Sequence, residues 1–483
     1  MFWQTIVMSA ATPPCIAPPA DWQYDPGSFR DRDSRVLLRD GRVYRALSQT
    51  AAEDWQSISQ HKFWQRHQAA GSLIGSELVD AAHTAALLEA PYVAVLEHPR
   101  LPWISYPYEW TFQMLQAAAL LQLQLLDEAL AVDAILKDAT PYNIQFQGTR
   151  PIFIDVGSFT RYTPGMPWLA YRQFCQLFLY PLLLQAYRGC DFQPWLRGSL
   201  SGMTPQQCRS LFSWTDFWRR GVFSHVWLHA LMERNVRVDN STLSSNMRAT
   251  GFTKEMLQQN VRGLRRLIEG LRWQPRRSRW SDYDQCAAPV QSDAAAKEAF
   301  VQQVTQRQHW TQVWDVGCNR GRYSRIAAEQ ADLVLAIDFD HLTVDTLFAE
   351  LAEAGERRVI PLVMNLADAS PGWGWRGTER QRFEDRGQPD LLLMLAVLHH
   401  LVLGENLRLA DVIDWIAERQ SAVILEFIDR SDPQVQTLLA HRSIAEPDYT
   451  REHFECLVQA RFTIVEQREL PSLTRTLYFL VPR

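Results

Sequence analysis

A chain of 483 residues exceeds one ordinary domain, so two or three hydrophobic cores are expected. With 47% hydrophobic and 21% charged residues, the composition excludes the disordered and fibrous classes. A net charge of −5 argues against non-specific nucleic-acid binding by the whole molecule, and seven scattered cysteines without Cys-x-x-Cys argue against a zinc site or a disulfide framework.

The first residues, "MFWQTIVMSAATPPC", lack a basic n-region and carry only a short apolar run. Residues 1–20 therefore read as a disordered start, with Met8 competing with Met1 as initiator. Residues 36–47, "VLLRDGRVYRAL", predict a hairpin, because Asp40-Gly41 between alternating strands favours a tight primed turn. A helical, aromatic-rich region follows to about 240. Two of its stretches, 110–130 and 168–187, are apolar enough to test as membrane spans. Gln113, Gln116, Gln122 and Gln124 interrupt the first and Arg172 the second, so neither reaches the ~18 apolar residues a span needs. Both are expected to be buried helices.

Between them, "KDATPYNIQFQGTRPIFIDVGSF" (137–159) predicts loop, strand, a turn at Gly148 and a second strand. The polar stretch 240–251 reads as a connection. Lys254, Arg262, Arg265, Arg266, Arg272, Arg276, Arg277 and Arg279 then mark a basic helix, read as a solvated bridge in preference to a phosphate or RNA patch. The expected organisation is an α+β domain over 21–240, a linker and basic helical bridge over 241–289, and an α/β domain over 290–483. In the last, apolar runs at 313–316, 333–338, 358–363, 390–396, 422–428, 462–467 and 475–481 alternate with helical segments. That rhythm predicts a doubly wound, mainly parallel sheet with ligands at the carboxyl ends of its strands.

The first of those ends carries "VWDVGCNRGRYS" (313–324). Glycine turns after a first strand suit dinucleotides or S-adenosylmethionine. A dinucleotide needs Gly-x-Gly-x-x-Gly, but here the middle glycine is Asn319, between Gly317 and Gly321. Asp315, at the strand end, would repel a pyrophosphate and attract an ammonium group. The stretch resembles motif I of class I S-adenosylmethionine-dependent methyltransferases, and the resemblance covers about 290–483. It implies a Rossmann-like sheet with a final antiparallel strand ("TRTLYFLVPR"), and S-adenosylmethionine as cofactor held by Asp315, Gly317, Asn319 and Gly321. Asp338, closing "LVLAIDFD", would bind the ribose hydroxyls, with Asp340 the less favoured choice. Asn365 or Asp368 in "MNLAD" would lie beside the adenine.

The fourth strand, "PDLLLMLAVLHHLV", has neither an Asn/Asp-Pro-Pro-Tyr signature nor a nearby cysteine; the nearest downstream is Cys456. Amide- or adenine-nitrogen and pyrimidine-carbon chemistry are therefore disfavoured. His399 and His400 are the candidate general bases, with rings expected to diverge on a helix and not to form a metal pair. No metal is expected. Glu426, ending the fifth strand, is expected to hold a loop by hydrogen bonds.

Asp138, Asn143 and Asp155 have the order and spacing of a kinase-like catalytic loop and metal-binding acid, without the glycine loop or the usual lysine. Arg45 or Lys62 would have to substitute for that lysine. A degenerate kinase-like scaffold is therefore expected. Taken with "SYPYEWTFQMLQAAALLQL" and the downstream pattern, these stretches resemble a bacterial family related to the nodulation-associated NoeA-type methyltransferases. The resemblance implies methyl transfer and fixes no acceptor atom.

The expectation is a cytoplasmic, two-domain methyltransferase with no membrane span and no nucleic-acid partner. It would methylate a small molecule or glycoconjugate entering between the domains. The alternatives are a bifunctional kinase-like methyltransferase and a non-catalytic S-adenosylmethionine-binding protein. The oligomeric state is not encoded in any pattern found.

Overall fold

The computed structural model describes residues 22–80, 91–235, 253–274, 288–440 and 448–483. The expected disordered start, the connection 240–251 and Arg276, Arg277 and Arg279 lie outside the described residues. Two compact units emerge, one from 1–57 and 75–100, the other from 58–74 and 101–483. The second takes in residues from both sides of the boundary expected at 241–289.

The first unit is built on strands β1 (Gln23–Tyr24), β2 (Ser34–Arg39), β3 (Arg42–Ser48), β4 (Glu77–Leu78) and β5 (Tyr92–His98), ordered β1-β2-β3-β5-β4. Asp40 and Gly41 both take positive φ, 47° and 74°, giving the primed turn read from the sequence. Alternation along the hairpin puts Leu37 and Ala46 on the inner face with Trp22 and Val95. Arg45 is buried here and donates to Ser34 Oγ at 3.0 Å.

In the second unit, helix Phe112–Leu130 starts at Thr111, whose hydroxyl caps Met114 N–H at 3.2 Å. The glutamines that argued against a span are used inside the protein. Gln113 reaches Asp345, Gln116 reaches the carbonyls of Ile268 and Leu271, and Gln122 reaches Asp138 O. Small strands follow: β6 (Ala134–Leu136), β7 (Ile144–Gln147), β8 (Arg150–Phe153) and β9 (Phe159–Arg161). Strands β7 and β8 pair about Gly148, which has φ 60°. The second expected buried helix runs from Tyr171 to Arg188 with a wide π turn at Cys175–Leu179.

The large sheet comprises β10 (Trp310–Val316), β11 (Ala331–Asp338), β12 (Val359–Val363), β13 (Leu391–Met394), β14 (Ala422–Ile428), β15 (Phe462–Glu469) and β16 (Arg475–Pro482). Its order is β12-β11-β10-β13-β14-β16-β15; the first five strands are parallel and β16 is antiparallel to both neighbours. This is the doubly wound sheet that the sequence rhythm implied, with the final antiparallel strand that the resemblance implied. The strand order reverses between β10 and β13, which is where such sheets open a crevice.

The amino-terminal part of this unit is welded to the sheet. The Arg386 side chain is buried against Glu109, donating to Oε2 at 2.8 Å and Oε1 at 2.5 Å, and also to Ile104 O at 2.8 Å. Around the pair, Trp103 meets Trp314 and Phe383 edge-on, with ring centroids 5.9 and 5.7 Å apart. Arg197 grips Asp368 with two bonds of 2.9 Å.

Candidate active site

A cavity opens at the strand reversal, bounded by the carboxyl ends of β10, β11, β12 and β13. Its lining residues all fall between Asp293 and Arg475. Each wall is a loop of the large sheet or a flank of it.

The loop after β10 is shaped by three left-handed residues: Gly317 (φ 75°), Asn319 (φ 49°) and Gly321 (φ 70°). Asparagine is the non-glycine residue that most readily takes this conformation, so the broken glycine pattern still gives the turn. Gly317 and Cys318 donate their N–H groups to Ile337 O at 2.8 and 3.0 Å, holding the loop against the end of β11. A Cβ on Gly317 would lie 2.2 Å from Val397 Cγ2, so main chain and the loop after β13 approach as closely as glycine permits.

Asp338 completes the turn. Its Oδ2 accepts Asn319 N–H at 2.8 Å and its Oδ1 accepts Asp340 N–H at 3.0 Å, and the residue lines the cavity. Burial raises its pKa above the ordinary carboxylate value. Asp340 instead caps helix His341–Ala354, accepting from Leu342 and Thr343 N–H. The third-strand alternatives separate as clearly: Asn365 lines the cavity, whereas Asp368 is held by Arg197.

Asp315 departs from expectation. It is fully buried, does not line the cavity, and receives Ser324 Oγ at 2.5 Å. Burial pushes its carboxyl up to about 7. The next residue, Val316, faces the cavity, and strand alternation turns Asp315 away.

The histidines also divide. His400 lines the cavity, while His399 is wholly buried and neither of its ring nitrogens meets a partner among the described residues. Burial, then the nearby His400, Arg475 and Lys297, push His399 well below the usual imidazole value. The rings do not diverge: their centroids lie 4.0 Å apart, at the start of the π-helical turn His400–Gly404.

Two cations in the wall had no local signal in the sequence. Lys297, on helix Ala288–Thr305, contacts Glu426 Oε1 at 2.7 Å and Oε2 at 2.8 Å. Arg475, opening β16, sits 3.6 Å from Glu426 and 2.9 Å from Asp432. Glu426 thus neutralises side-chain charge and does not hold a loop. Ala396, with φ 56°, is a further lining residue whose strained backbone nothing in the sequence announced. Among the described residues no group of His, Cys, Asp and Glu is arranged for a metal ion, and no helix is long and apolar enough to cross a membrane.

Asp138, Asn143 and Asp155 lie around the β7–β8 hairpin. Asp138 accepts Gln122 through its carbonyl, Asn143 ends a short 3-10 turn with Nδ2 buried, and Asp155 precedes the turn Val156–Ser158. Of the two proposed lysine substitutes, Arg45 belongs to the first unit's sheet and Lys62 begins helix Lys62–Ala70.

No family model matches the chain. Over 455 residues it is 31% identical to the nodulation protein NoeA of Rhizobium meliloti (strain 1021), spanning 94% of each. The chain belongs to the NoeA family. Since the NoeA match spans nearly the whole chain, the amino-terminal helical part and the large sheet both belong to what the family shares. Solved structures similar in part include N-methyltransferase NodS from Bradyrhizobium japonicum WM9 with S-adenosyl-l-homocysteine (12% identity, 39% of this chain and 87% of that one, TM-score 0.29). Others are magnesium protoporphyrin IX methyltransferase ChlM from Synechocystis PCC 6803 (16%, 41% and 89%, 0.29) and the bifunctional kinase-methyltransferase WbdD (18%, 42% and 41%, 0.28).

Proposed function

We propose that the chain is an S-adenosylmethionine-dependent methyltransferase acting on a small-molecule or glycoconjugate acceptor. The observation that carries this is the hydrogen bond from Asn319 N–H to Asp338, which fastens a loop with three left-handed residues to a cavity-lining acid. Gly317, Asn319 and Gly321 would let main chain approach the cofactor. Asp338 would accept from its ribose hydroxyls, and Asn365 would lie by the adenine. The cofactor supplies an electrophilic methyl group. Asp315, buried against Ser324, would act on the loop and not on the ligand.

His400 would take the proton from the acceptor; the support for this is that it lines the cavity and His399 does not. The cavity's sheet-borne lining supports an amino-terminal half that braces the site, with Asp138, Asn143 and Asp155 as scaffold. Calorimetric titration tests the cofactor assignment. S-adenosylmethionine should bind and NAD should not, and Asp338→Ala should weaken binding by ~1.5–3 kcal/mol, the usual cost of lost charged hydrogen bonds. Wild-type affinity in that variant ends the reading. Metabolite profiling with methyl-labelled methionine would then identify the acceptor.

A further inference from the structure

Away from the cavity, the second unit carries a surface that the proposed chemistry leaves unused. Trp214 and Trp218, on the 3-10 segment Trp214–Trp218, are 77% and 83% exposed. Phe223, Leu228, Leu231 and Met232 follow, all exposed, on the π turn Val222–Trp227 and the helix Leu228–Asn235. Phe217 joins three of the aromatic groups, with its ring centroid 5.3 Å from Trp218, 4.6 Å from Phe223 and 5.7 Å from Trp227, and the helical spacing of Leu228, Leu231 and Met232 puts those three on one face. Exposed large apolar groups concentrated in one place need an occupant.

The charge around them indicates which. Between residues 214 and 232 the acid is Asp216, which is buried and already contacts Arg188 at 3.3 Å and Arg219 at 3.0 Å. Arg219 and Arg220 are exposed beside Trp218. The loop they sit on packs on the basic helix Lys254–Glu269: a Cβ on Gly221 would meet Leu267 at 2.5 Å, and one on Gly270 would meet Arg220 at 3.5 Å. That helix and its C-terminal end carry the exposed Arg266 and Arg272, with the exposed Glu269 between them, so the neighbourhood stays net basic.

We propose that this surface docks the protein on an anionic lipid bilayer. Indole and phenyl rings enter the headgroup–acyl boundary with Leu231 and Met232, while the arginines face acidic headgroups. A nucleic acid would use the rings and arginines but leave the exposed aliphatic groups in water. A second copy would bring the same arginines against one another. Docking of this kind needs no spanning helix and leaves the cavity's residues untouched.

The test is co-sedimentation of the full chain with vesicles of phosphatidylcholine alone or with about 30% phosphatidylglycerol, with light scattering of the free protein. Binding should favour the anionic vesicles and weaken with salt. Trp214→Ser/Trp218→Ser/Phe223→Ser should lower partitioning at least tenfold. Arg219→Gln and Arg220→Gln should each lower it about fivefold. S-adenosylmethionine affinity, read in parallel, should be unchanged and reports that the variants fold. Three results overturn the proposal: no binding to anionic vesicles, equal binding by the triple variant, or a dimer of the free protein that the triple variant dissolves.

Discussion

Replacing Glu109 by glutamine would leave the Arg386 guanidinium buried with half its partnership gone. Both side chains are 1% exposed, so water cannot take over the lost role. Two of the bonds that Arg386 donates go to Glu109 and a third to Ile104 O, and Glu109 Oε2 also accepts Tyr106 N–H at 2.9 Å. The rings of Trp103 and Tyr106, 5.0 and 4.8 Å from the guanidinium carbon, keep the pair dry. Removing one partner of such a pair costs about 3–5 kcal/mol, mostly as the penalty of the charge left behind. Glu109→Gln should therefore lower the urea midpoint of the second unit sharply. The double variant Glu109→Gln/Arg386→Met should recover most of the loss, since the stranded charge is removed with its partner. Tryptophan fluorescence reports the transition directly, because Trp103 and Trp314 flank the site. An unchanged midpoint in Glu109→Gln, or a double variant worse than the single, would refute the claim that this ion pair ties the amino-terminal helices to the sheet.

Gly317→Ala should abolish cofactor binding, because its Cβ would strike Val397 and its φ of 75° is strained for alanine; adding Val397→Ala should restore part of the affinity in calorimetry. His400→Gln should slow methyl transfer by about 10²–10⁴-fold with cofactor affinity intact, whereas His399→Leu, replacing a buried imidazole without partners, should keep turnover within a few-fold; equal losses would make His399 a participant. Asp315 binds its proton up to about pH 7 when folded, against 3.8 for the ordinary group, so its contribution to the ligand-free protein is full at low pH and declines through that window. Asp315→Asn should flatten the fall in unfolding free energy between about pH 4 and pH 7; an identical slope in both proteins would show that the carboxyl titrates elsewhere.

Features with a local cause were readable from the residues. Asp40-Gly41 dictates its hairpin because positive φ is cheap there, and the apolar runs dictate the parallel strands because both faces of the sheet are covered. Asp338 was legible as an acid closing a strand beside a glycine turn. Asp340 and Asp368, the alternatives left open, are engaged by partners that no window contains: the amides of the helix after Asp340, and Arg197 reaching from the other half. Asp315 and Val316 illustrate a sharper limit, since neighbours on a strand face opposite sides and the motif does not say which faces the ligand. Lys297 and Arg475 reach the cavity from a helix and from the last strand, and only the closed fold brings them to Glu426.

The ion pair between Glu109 and Arg386 joins positions 277 residues apart. During synthesis at about 5–20 residues per second, roughly a quarter of a minute to a minute separates the two. Until Arg386 leaves the ribosome, Glu109 has no counter-charge and Trp103 has neither Trp314 nor Phe383 to cover it. The amino-terminal helices must therefore wait, exposed and unfinished, for the sheet to arrive. A cell making this protein needs either a holding chaperone for that interval or a slow enough collapse that nothing else claims the surface first.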